Sequence, residues 1–242
     1  MIDLLLRKLR LRSPVSDEEE AALRAAASPV ETVRPDQLIA QAGDAPTTSC
    51  LLVEGWACRH KDLPDGRRQI VELQIAGDFV DLHSFPVQRL NHDVSAITTC
   101  RVSRFTHERL REITERFPRL ARSLWFSTML DASIHREWIL SLGQRDALGR
   151  IAHLLCELRI RLEIVDLGTA QGFALPLTQA ALAEATGLTP VHVNRTLRAL
   201  RENGIATVRN RNVNIHDLAE LERTAAFDSS YLHLGGKSSR AV

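Results

Sequence analysis

The pattern of apolar and polar positions divides this chain into three parts: a short N-terminal helical segment, a strand-like part and a helical part. Near the N-terminus, Ser16-Asp-Glu-Glu19 has the form of a capping box and predicts a helix over residues 17–27. From about residue 30, short β-branched or alternating runs such as 50–53 and 70–75 predict strands. After Pro118 the spacing becomes helical. These patterns predict an α+β fold.

The strand-like part is divided by glycines at regular intervals. Gly43, Gly55, Gly66 and Gly77 recur every eleven or twelve residues, and Asp65-Gly66 is a strong hairpin signal. Further strands are expected near 94–97 and 100–105. Turns at this spacing predict an antiparallel β-barrel or jelly roll, which we assign to a domain over residues 30–117 that follows N-terminal helices in 1–29.

A long helix is predicted over 118–142, with Gly143 at its end as a candidate hinge. Its main apolar residues are Leu124, Met129, Ile134, Trp138 and Leu142. They offer more apolar surface than one barrel needs to cover, so we expect a symmetric dimer through Leu124, Ile134 and Trp138. The alternative is a helix packed entirely on its own barrel. We define 118–143 as the dimerisation helix and hinge.

Residues 177–201 predict two short helices joined by a glycine turn, the layout of a helix-turn-helix DNA-binding unit. Thr178 and Thr189 are the expected N-caps, and Gly187 the expected turn. The second helix is predicted over 190–203. Residues near the N-terminus of such a helix reach base edges, and those further along meet phosphate. The candidate base readers are Val191, His192, Asn194 and Arg195, and the candidate phosphate contacts are Arg198 and Arg201.

Local charge supports this interpretation. Residues 189–213 contain five arginines and one acidic residue, Glu202, in a chain of net charge +1. The run 205–215 predicts a basic hairpin, or wing, that brings Arg209 and Arg211 to the DNA backbone. The alternative is an ordinary helical hairpin whose arginines are solvated. We assign 144–228 to this domain, with a supporting helix over 146–162, and predict that the tail 229–242 is disordered.

The motifs of this region resemble the winged helix-turn-helix of the CRP/FNR family of bacterial transcription regulators. They are Thr178-Gln179, Leu182-Ala183, Thr186-Gly187-Leu188-Thr189, Val193-Asn194-Arg195 and Leu197. The resemblance implies that Arg195 reads a guanine. Val191 departs from the glutamate of many members, and valine can touch a thymine methyl but cannot accept a hydrogen bond from cytosine.

The resemblance also implies that the barrel is an effector domain similar to cyclic-nucleotide-binding domains. Its ligand motif departs from the family, because Asp81-Leu82 replaces a Gly-Glu pair and no Arg-Ser pair stands near residues 90–92. Without a placed arginine a cyclic phosphate would be held weakly, so cyclic AMP is not the expected effector. The candidate pocket residues are Gly77, Asp78, His83, Ser84, Arg89 and His92. The alternative is a solvated polar loop, and the effector is not identified.

Other site classes find little support. Four scattered cysteines, Cys50, Cys58, Cys100 and Cys156, form no metal motif and no N-terminal iron–sulfur group. The histidines form no paired metal motif, and no catalytic constellation is visible. No apolar run is long enough to span a membrane, and a cytoplasmic protein is expected.

We therefore predict a homodimeric transcription factor that binds double-stranded DNA at a palindromic site, and RNA polymerase if it is an activator. One alternative is a ligand-independent or thiol-regulated member of the same family. A remote alternative is a cupin-like β-barrel enzyme.

Overall fold

Two antiparallel sheets form the predicted barrel in the computed structural model, which describes residues 1–234. Their strands are β1 Glu31–Val33, β2 Leu38–Ala40, β3 Thr48–Glu54, β4 Trp56–Asp62, β5 Arg68–Ile75, β6 Asp93–Ala96 and β7 Cys100–Thr106. One sheet has the order β1-β7-β3 and the other β2-β6-β4-β5. All four turn glycines have positive φ, as their spacing predicts.

Two helices precede the barrel, α1 Asp3–Arg10 and α2 Asp17–Ala26. The capping box is confirmed, because Ser16 Oγ accepts from the Glu19 amide and the Ser16 amide donates to Glu19 Oε2 at 2.8 Å. The apolar face of α1, including Leu5, Leu6 and Leu9, is buried in a cluster with barrel residues such as Phe105. The N-terminal segment is therefore part of the effector domain core.

Four helices follow or interrupt the barrel: α3 Ser84–Val87, α4 His107–Arg116, α5 Pro118–Gln144 and α6 Ala147–Ile164. Helix α4 was not predicted from the sequence. The long helix α5 begins at Pro118 as predicted and ends at Gln144, one residue beyond the predicted end at Gly143. The connection to α6 lies at residues 145–146, where the Asp146 side chain caps α6 by accepting from the Gly149 amide at 2.8 Å.

The assignment of Leu124, Ile134 and Trp138 to the partner-facing surface is wrong. These side chains are buried inside the chain, where they belong to its apolar clusters. At 100° per residue they lie on the side of α5 that faces the rest of the subunit, and Trp138 Nε1 donates to Glu157 of α6 at 3.1 Å. The exposed apolar residues of α5 are Trp125, Met129, Ile139 and Leu140.

The C-terminal region contains the predicted helix-turn-helix and wing. Its elements are β8 Gly168–Thr169, β9 Gly172–Ala174, α7 Gln179–Thr186, α8 Pro190–Glu202, β10 Ala206–Arg209, β11 Asn212–Ile215 and α9 Leu218–Ala225. The sheet order is β10-β11-β9-β8. The short strands β8 and β9 extend the sheet of the wing.

The predicted disorder of the tail is wrong for its first residues. Residues Ser229–Leu232 form a 3-10 helix in which Leu232 is buried, and Tyr231 Oη donates to Glu157 at 3.0 Å. Tyr231 also stacks on His153 of α6, and the turn as a whole packs on α5. The remainder of the predicted disordered tail, residues 235–242, lies outside the described residues.

The barrel and the C-terminal region share one apolar core. A continuous cluster runs from Trp56 and Ile75 of the barrel to Leu155 of α6 and Val193 of α8. Polar contacts reinforce it, since Gln69 of β5 donates to the Glu184 carbonyl of α7 at 2.5 Å. The helix-turn-helix is therefore docked directly on the β4–β5 hairpin.

Candidate DNA-binding surface and effector pocket

Local hydrogen bonds place the two helices of the helix-turn-helix as the sequence predicts. Thr178 Oγ1 accepts from the Ala181 amide at 3.1 Å and Thr189 Oγ1 from the His192 amide at 3.2 Å. Gly187 ends α7 with φ +63, and a Cβ there would lie 2.7 Å from Leu142 Cδ2. The turn therefore favours glycine for its backbone conformation, and any larger residue would also have to displace the end of the Leu142 side chain.

The two faces of α8 are clearly separated. Val193, Thr196 and Leu200 are buried against the domain, and Leu197 packs at the edge of the same cluster. Ala183, on the facing helix α7, is also buried. A small side chain at this position lets the two helices approach closely, so the inner face fixes α8 to its scaffold.

The opposite face of α8 is open to solvent. Val191 is 66% exposed, and His192, Asn194 and Arg195 are exposed beside it. The other candidate DNA contacts are exposed as well: Thr178, Thr189, Arg198, Arg201, Arg209 and Arg211. The structure thus brings the candidate base readers together on one uncovered surface.

Most of the arginines on this surface have no acidic partner. Arg198 forms an (i, i+4) ion pair with Glu202 at 2.7 Å. Among residues 1–234, no carboxylate pairs with Arg195, Arg201, Arg209 or Arg211. Unpaired guanidinium groups on one face are what a polyanion requires, because phosphate contacts supply most of the nonspecific affinity for DNA.

The tip of the wing has an unusual backbone conformation. Asn210 and Arg211 both have positive φ, 52° and 59°, as a two-residue type I′ hairpin turn requires. Glycine usually occupies the second position, and a larger residue there costs on the order of 1 kcal/mol. The chain therefore holds an arginine side chain at the wing tip in spite of backbone strain.

The six candidate effector residues do not form one pocket. Gly77 lies against Leu4 of α1, and the Asp78 carboxylate binds Lys8 Nζ at 2.6 Å and Arg161 at 3.1 Å. These two residues thus belong to the junction between α1, the barrel and α6. Arg89 is exposed and donates to the Gly43 carbonyl. Assigning these three residues to a pocket with the histidines is therefore wrong.

Three of the six remain near the barrel interior. The His83 and His92 rings have centroids 4.9 Å apart, and Ser84 Oγ lies 3.3 Å from His107 Nε2. Burial lowers the pKa of His83 to about 3 and that of His92 to about 4. Both imidazoles are consequently neutral at physiological pH.

The polar groups inside the barrel were not predicted from the sequence. Arg59 of β4 and Glu72 of β5 are opposite each other in register and are 2.6 Å apart, and both are almost fully buried. Gln74 is opposite Ala57, whose side chain lies in the interior apolar cluster. Opposite residues of an antiparallel pair share a face, so Glu72 and Gln74 face inward. Glu72 and Gln74 alternate with apolar residues within Ile70–Ile75, and this alternation could have predicted that both polar side chains lie on one face of the strand.

The interior is poorly suited to a cyclic phosphate. Arg59 binds both Glu72, at 2.6 Å, and Asp131 of α5, at 2.8 Å. It also donates to the Val80 carbonyl at 2.8 Å. Its charge is already neutralised by two carboxylates, and an anion would have to displace them. This arrangement supports the expectation that cyclic AMP is not the effector.

The four cysteines are free and buried. Burial raises the pKa of Cys58 and of Cys156 to about 12, and it also raises the pKa of Cys50 and Cys100. Since the thiolate is the reactive form, none of these thiols is primed for oxidation in this conformation. The structure gives no support to the thiol-regulated alternative.

Comparison with known proteins agrees with both parts of the structure. The model of the cyclic nucleotide-binding domain matches residues 30–117, and that of the Crp-like helix-turn-helix domain matches residues 149–224.

No helix among the described residues is long and apolar enough to cross a membrane.

The chain is also similar to proteins named as transcriptional activators. It is 36% identical to a probable transcriptional activator of Rhizobium leguminosarum bv. viciae over 164 residues, 67% of each chain. It is 30% identical to the transcriptional activator protein FnrL of Cereibacter sphaeroides over 217 residues, 88% of this chain and 87% of FnrL. The structure of FixK2 from Bradyrhizobium japonicum superposes with a TM-score of 0.75 at 26% identity, covering 84% of this chain and 98% of FixK2.

Proposed function

Because the chain belongs to the CRP/FNR family of bacterial transcription regulators, a family of DNA-binding proteins rather than enzymes, we propose that it reads a palindromic site as a homodimer. Each subunit would place α8 in one of two successive major grooves, about 34 Å apart. The observation that carries the proposal is the uncovered face of α8, from Val191 to Arg195, above a fully packed inner face.

The chemistry of this face indicates what it reads. Arg195 can donate two hydrogen bonds to guanine O6 and N7, and Asn194 can pair with adenine N6 and N7. Val191 offers only an apolar contact, which suits a thymine methyl group. Arg198, Arg201, Arg209 and Arg211 lie further along α8 and on the wing, where they would meet phosphate.

The dimer contact is proposed for the exposed face of α5. Trp125, Met129, Ala132, Arg136 and Ile139 are separated by four, three, four and three residues. This is the spacing of a two-helix coiled coil, and Trp125 and Ile139 are 67% and 69% exposed in the isolated subunit. A second copy of α5 would cover these residues through a twofold axis.

Selection of bound sequences from random DNA tests the proposed function. We expect an enriched palindrome with a guanine in each half-site and half-sites about 10 bp apart, centre to centre. The Arg195→Ala variant, carried through the same selection, should lose the preference at that guanine. Enrichment of a single unrepeated half-site would contradict the dimer, and no enrichment at all would contradict sequence-specific binding.

The cellular role follows from the same proposal. Two similar relatives are named transcriptional activators, which favours activation and contact with RNA polymerase in the bacterial cytoplasm. Transcription in vitro from a promoter that carries the selected site would test this. Reduced transcript on addition of the protein would indicate a repressor instead.

A further inference from the structure

A cavity of about 90 Å³ lies where α1, the barrel, α5, α6 and the 3-10 helix Ser229–Leu232 meet. Its buried wall is apolar and includes Leu5, Leu9, Phe79, Leu82 and Leu232. Most of this wall belongs to the apolar cluster that α1 forms with the barrel, which is separate from the cluster inside the barrel. Leu11 and Arg12, just after α1, form a partly exposed edge. The cavity is therefore distinct from the barrel interior and has one side near solvent.

The hydroxyl groups of α5 that line the cavity are already hydrogen-bonded within the helix. Ser123 donates to the Arg119 carbonyl at 3.2 Å, and Ser127 donates to the Ser123 carbonyl at 3.3 Å. Thr128 donates to the Trp125 carbonyl at 2.7 Å. An ordered water molecule needs several polar partners, and the leucine and phenylalanine side chains of the wall provide none. The cavity therefore suits an apolar group better than a cluster of water.

All but one of the charged side chains that line the cavity have an oppositely charged partner. The pairs are Lys8–Asp78 at 2.6 Å, Arg161–Asp78 at 3.1 Å and Asp131–Arg59 at 2.8 Å. Among residues 1–234, no carboxylate pairs with Arg12. The cavity thus has one uncompensated positive charge, and that charge lies at its edge.

The Arg12 side chain is held in place by neutral partners. Its Nη2 donates to the Leu232 carbonyl at 2.6 Å, and its Cζ lies 4.5 Å from the centroid of the Phe126 ring. Arg12 is half-buried, and burial lowers the pKa of its guanidinium. These contacts orient the guanidinium but leave its charge without a counter-ion. A carboxylate is the anion that matches its planar fork of N–H groups.

The size and charge of the cavity limit the ligand. An enclosed apolar cavity of about 150 Å³ holds benzene, and a water-sized group occupies about 30 Å³, so the apolar part would be a chain of about three carbon atoms. One uncompensated cation provides for one negative charge. A second negative charge would lie near Asp78 or Asp131, which line the same cavity. These limits describe a short aliphatic monoanion.

We propose that this cavity binds a short-chain monocarboxylate, with the carboxylate on the Arg12 guanidinium and the aliphatic chain against Leu5 and Leu9. Arg161 and Ile164 of α6 line the same cavity. The ligand would therefore lie between the effector domain and the first helix of the C-terminal region, and it would favour the packing of α6 seen here.

The test is calorimetric titration of the full-length protein, with any affinity tag removed, in a buffer free of carboxylates. Butyrate should bind saturably with one site per subunit. Butyramide has the same shape without the charge and should bind more weakly by about tenfold or more. Arg12→Gln should weaken butyrate binding by about tenfold or more and remove the preference for butyrate over butyramide. Arg10→Gln is the matched control and should keep wild-type affinity, because Arg10 is exposed and pairs with Glu20.

A second variant tests the cavity itself. Ser127→Leu places an apolar side chain in the space that the ligand would occupy, and it should abolish butyrate binding. Circular dichroism and urea unfolding would establish that each variant is folded, and if Arg12→Gln does not fold, Ser127→Leu decides the result.

Three results would overturn the proposal. The first is the absence of saturable butyrate binding by wild type at millimolar concentration. The second is a preference for butyrate over butyramide that survives Arg12→Gln, or butyrate binding that survives Ser127→Leu. The third is an equal loss of affinity in Arg10→Gln. Binding is measured without DNA, so this outcome is independent of the proposed DNA site.

Discussion

Helices α8 and α5 differ in how many partners they contact. Helix α8 packs on one scaffold through Val193, Thr196 and Leu200, and its opposite face is open. Helix α5 packs on the barrel and α6 through one face and exposes a second apolar face that includes Trp125 and Ile139. When a helix has one apolar stripe, its sequence identifies the face that is buried. When it has two apolar stripes, the sequence does not say which one packs within the subunit.

The largest expected effect comes from a matched pair of substitutions, one on the buried face of α5 and one on its exposed face. Trp138→Ala should lower the free energy of unfolding by about 3–5 kcal/mol, because removing a buried tryptophan leaves a cavity and takes away one of the hydrogen bonds to the buried Glu157. Trp125→Ala should leave the packing within the subunit intact but weaken the dimer. Urea unfolding and sedimentation over a range of protein concentrations would measure both, because dimer stability depends on concentration.

The opposite outcome would reverse the assignment of the faces. A stable monomer from Trp138→Ala, or a destabilised dimer of unchanged affinity from Trp125→Ala, would show that α5 contacts its partner through the other side.

The next effect concerns the open face of α8. Arg195→Ala should weaken binding to the selected site by about 1–3 kcal/mol, or roughly 5- to 150-fold, and leave binding to random DNA nearly unchanged. Arg209→Ala is the matched control on the wing, and it should weaken both kinds of DNA alike. Titrations at several salt concentrations would measure this, and equal loss on both DNAs for Arg195→Ala would contradict the base-reading role.

A smaller effect comes from a group buried against α5. His153 of α6 lies 3.6 Å from Glu137 and stacks on Tyr231, and burial lowers the pKa of His153 to about 3. The unfolded chain therefore binds a proton at this histidine more readily than the folded chain does. As a result, the free energy of unfolding is highest above pH 6.5 and decreases as the pH falls below that value.

Between pH 6.5 and 5.5 this one histidine should remove about 1 kcal/mol of stability. Urea unfolding at several pH values would measure the slope, which should become shallower in His153→Gln. The exposed His216→Gln is the control and should keep the wild-type slope. A slope unchanged by His153→Gln would contradict the assignment.

The smallest effect concerns the wing tip. Arg211→Gly should raise the free energy of unfolding by a few tenths to about 1 kcal/mol, because glycine adopts positive φ without strain. It should also weaken DNA binding and reduce the slope of log affinity against log salt by about 1. Unchanged salt dependence would mean that the arginine does not contact phosphate.

Short-range signals were sufficient for the helix-turn-helix. Thr178, Gly187 and Thr189 act through hydrogen bonds and backbone angles within three or four residues of themselves, and the structure confirms their roles as caps and turn. The turn glycines predicted the barrel for the same reason, because a positive φ is a property of the residue itself and its immediate neighbours. The sequence also carried an unused signal on α5, because the alternating four- and three-residue spacing from Trp125 to Ile139 follows the apolar face that the subunit leaves exposed.

The amino-acid sequence by itself determined the division into a barrel, a long helix and a helix-turn-helix, and also the outward face of α8, since each depends on neighbours along the chain. Only the tertiary structure decided that Asp78 pairs with Lys8 and Arg161, and that Glu72 lies beside Arg59, His135 and Asp131. These contacts join residues far apart in the chain, and their partners depend on how helices α1, α5 and α6 pack around the barrel.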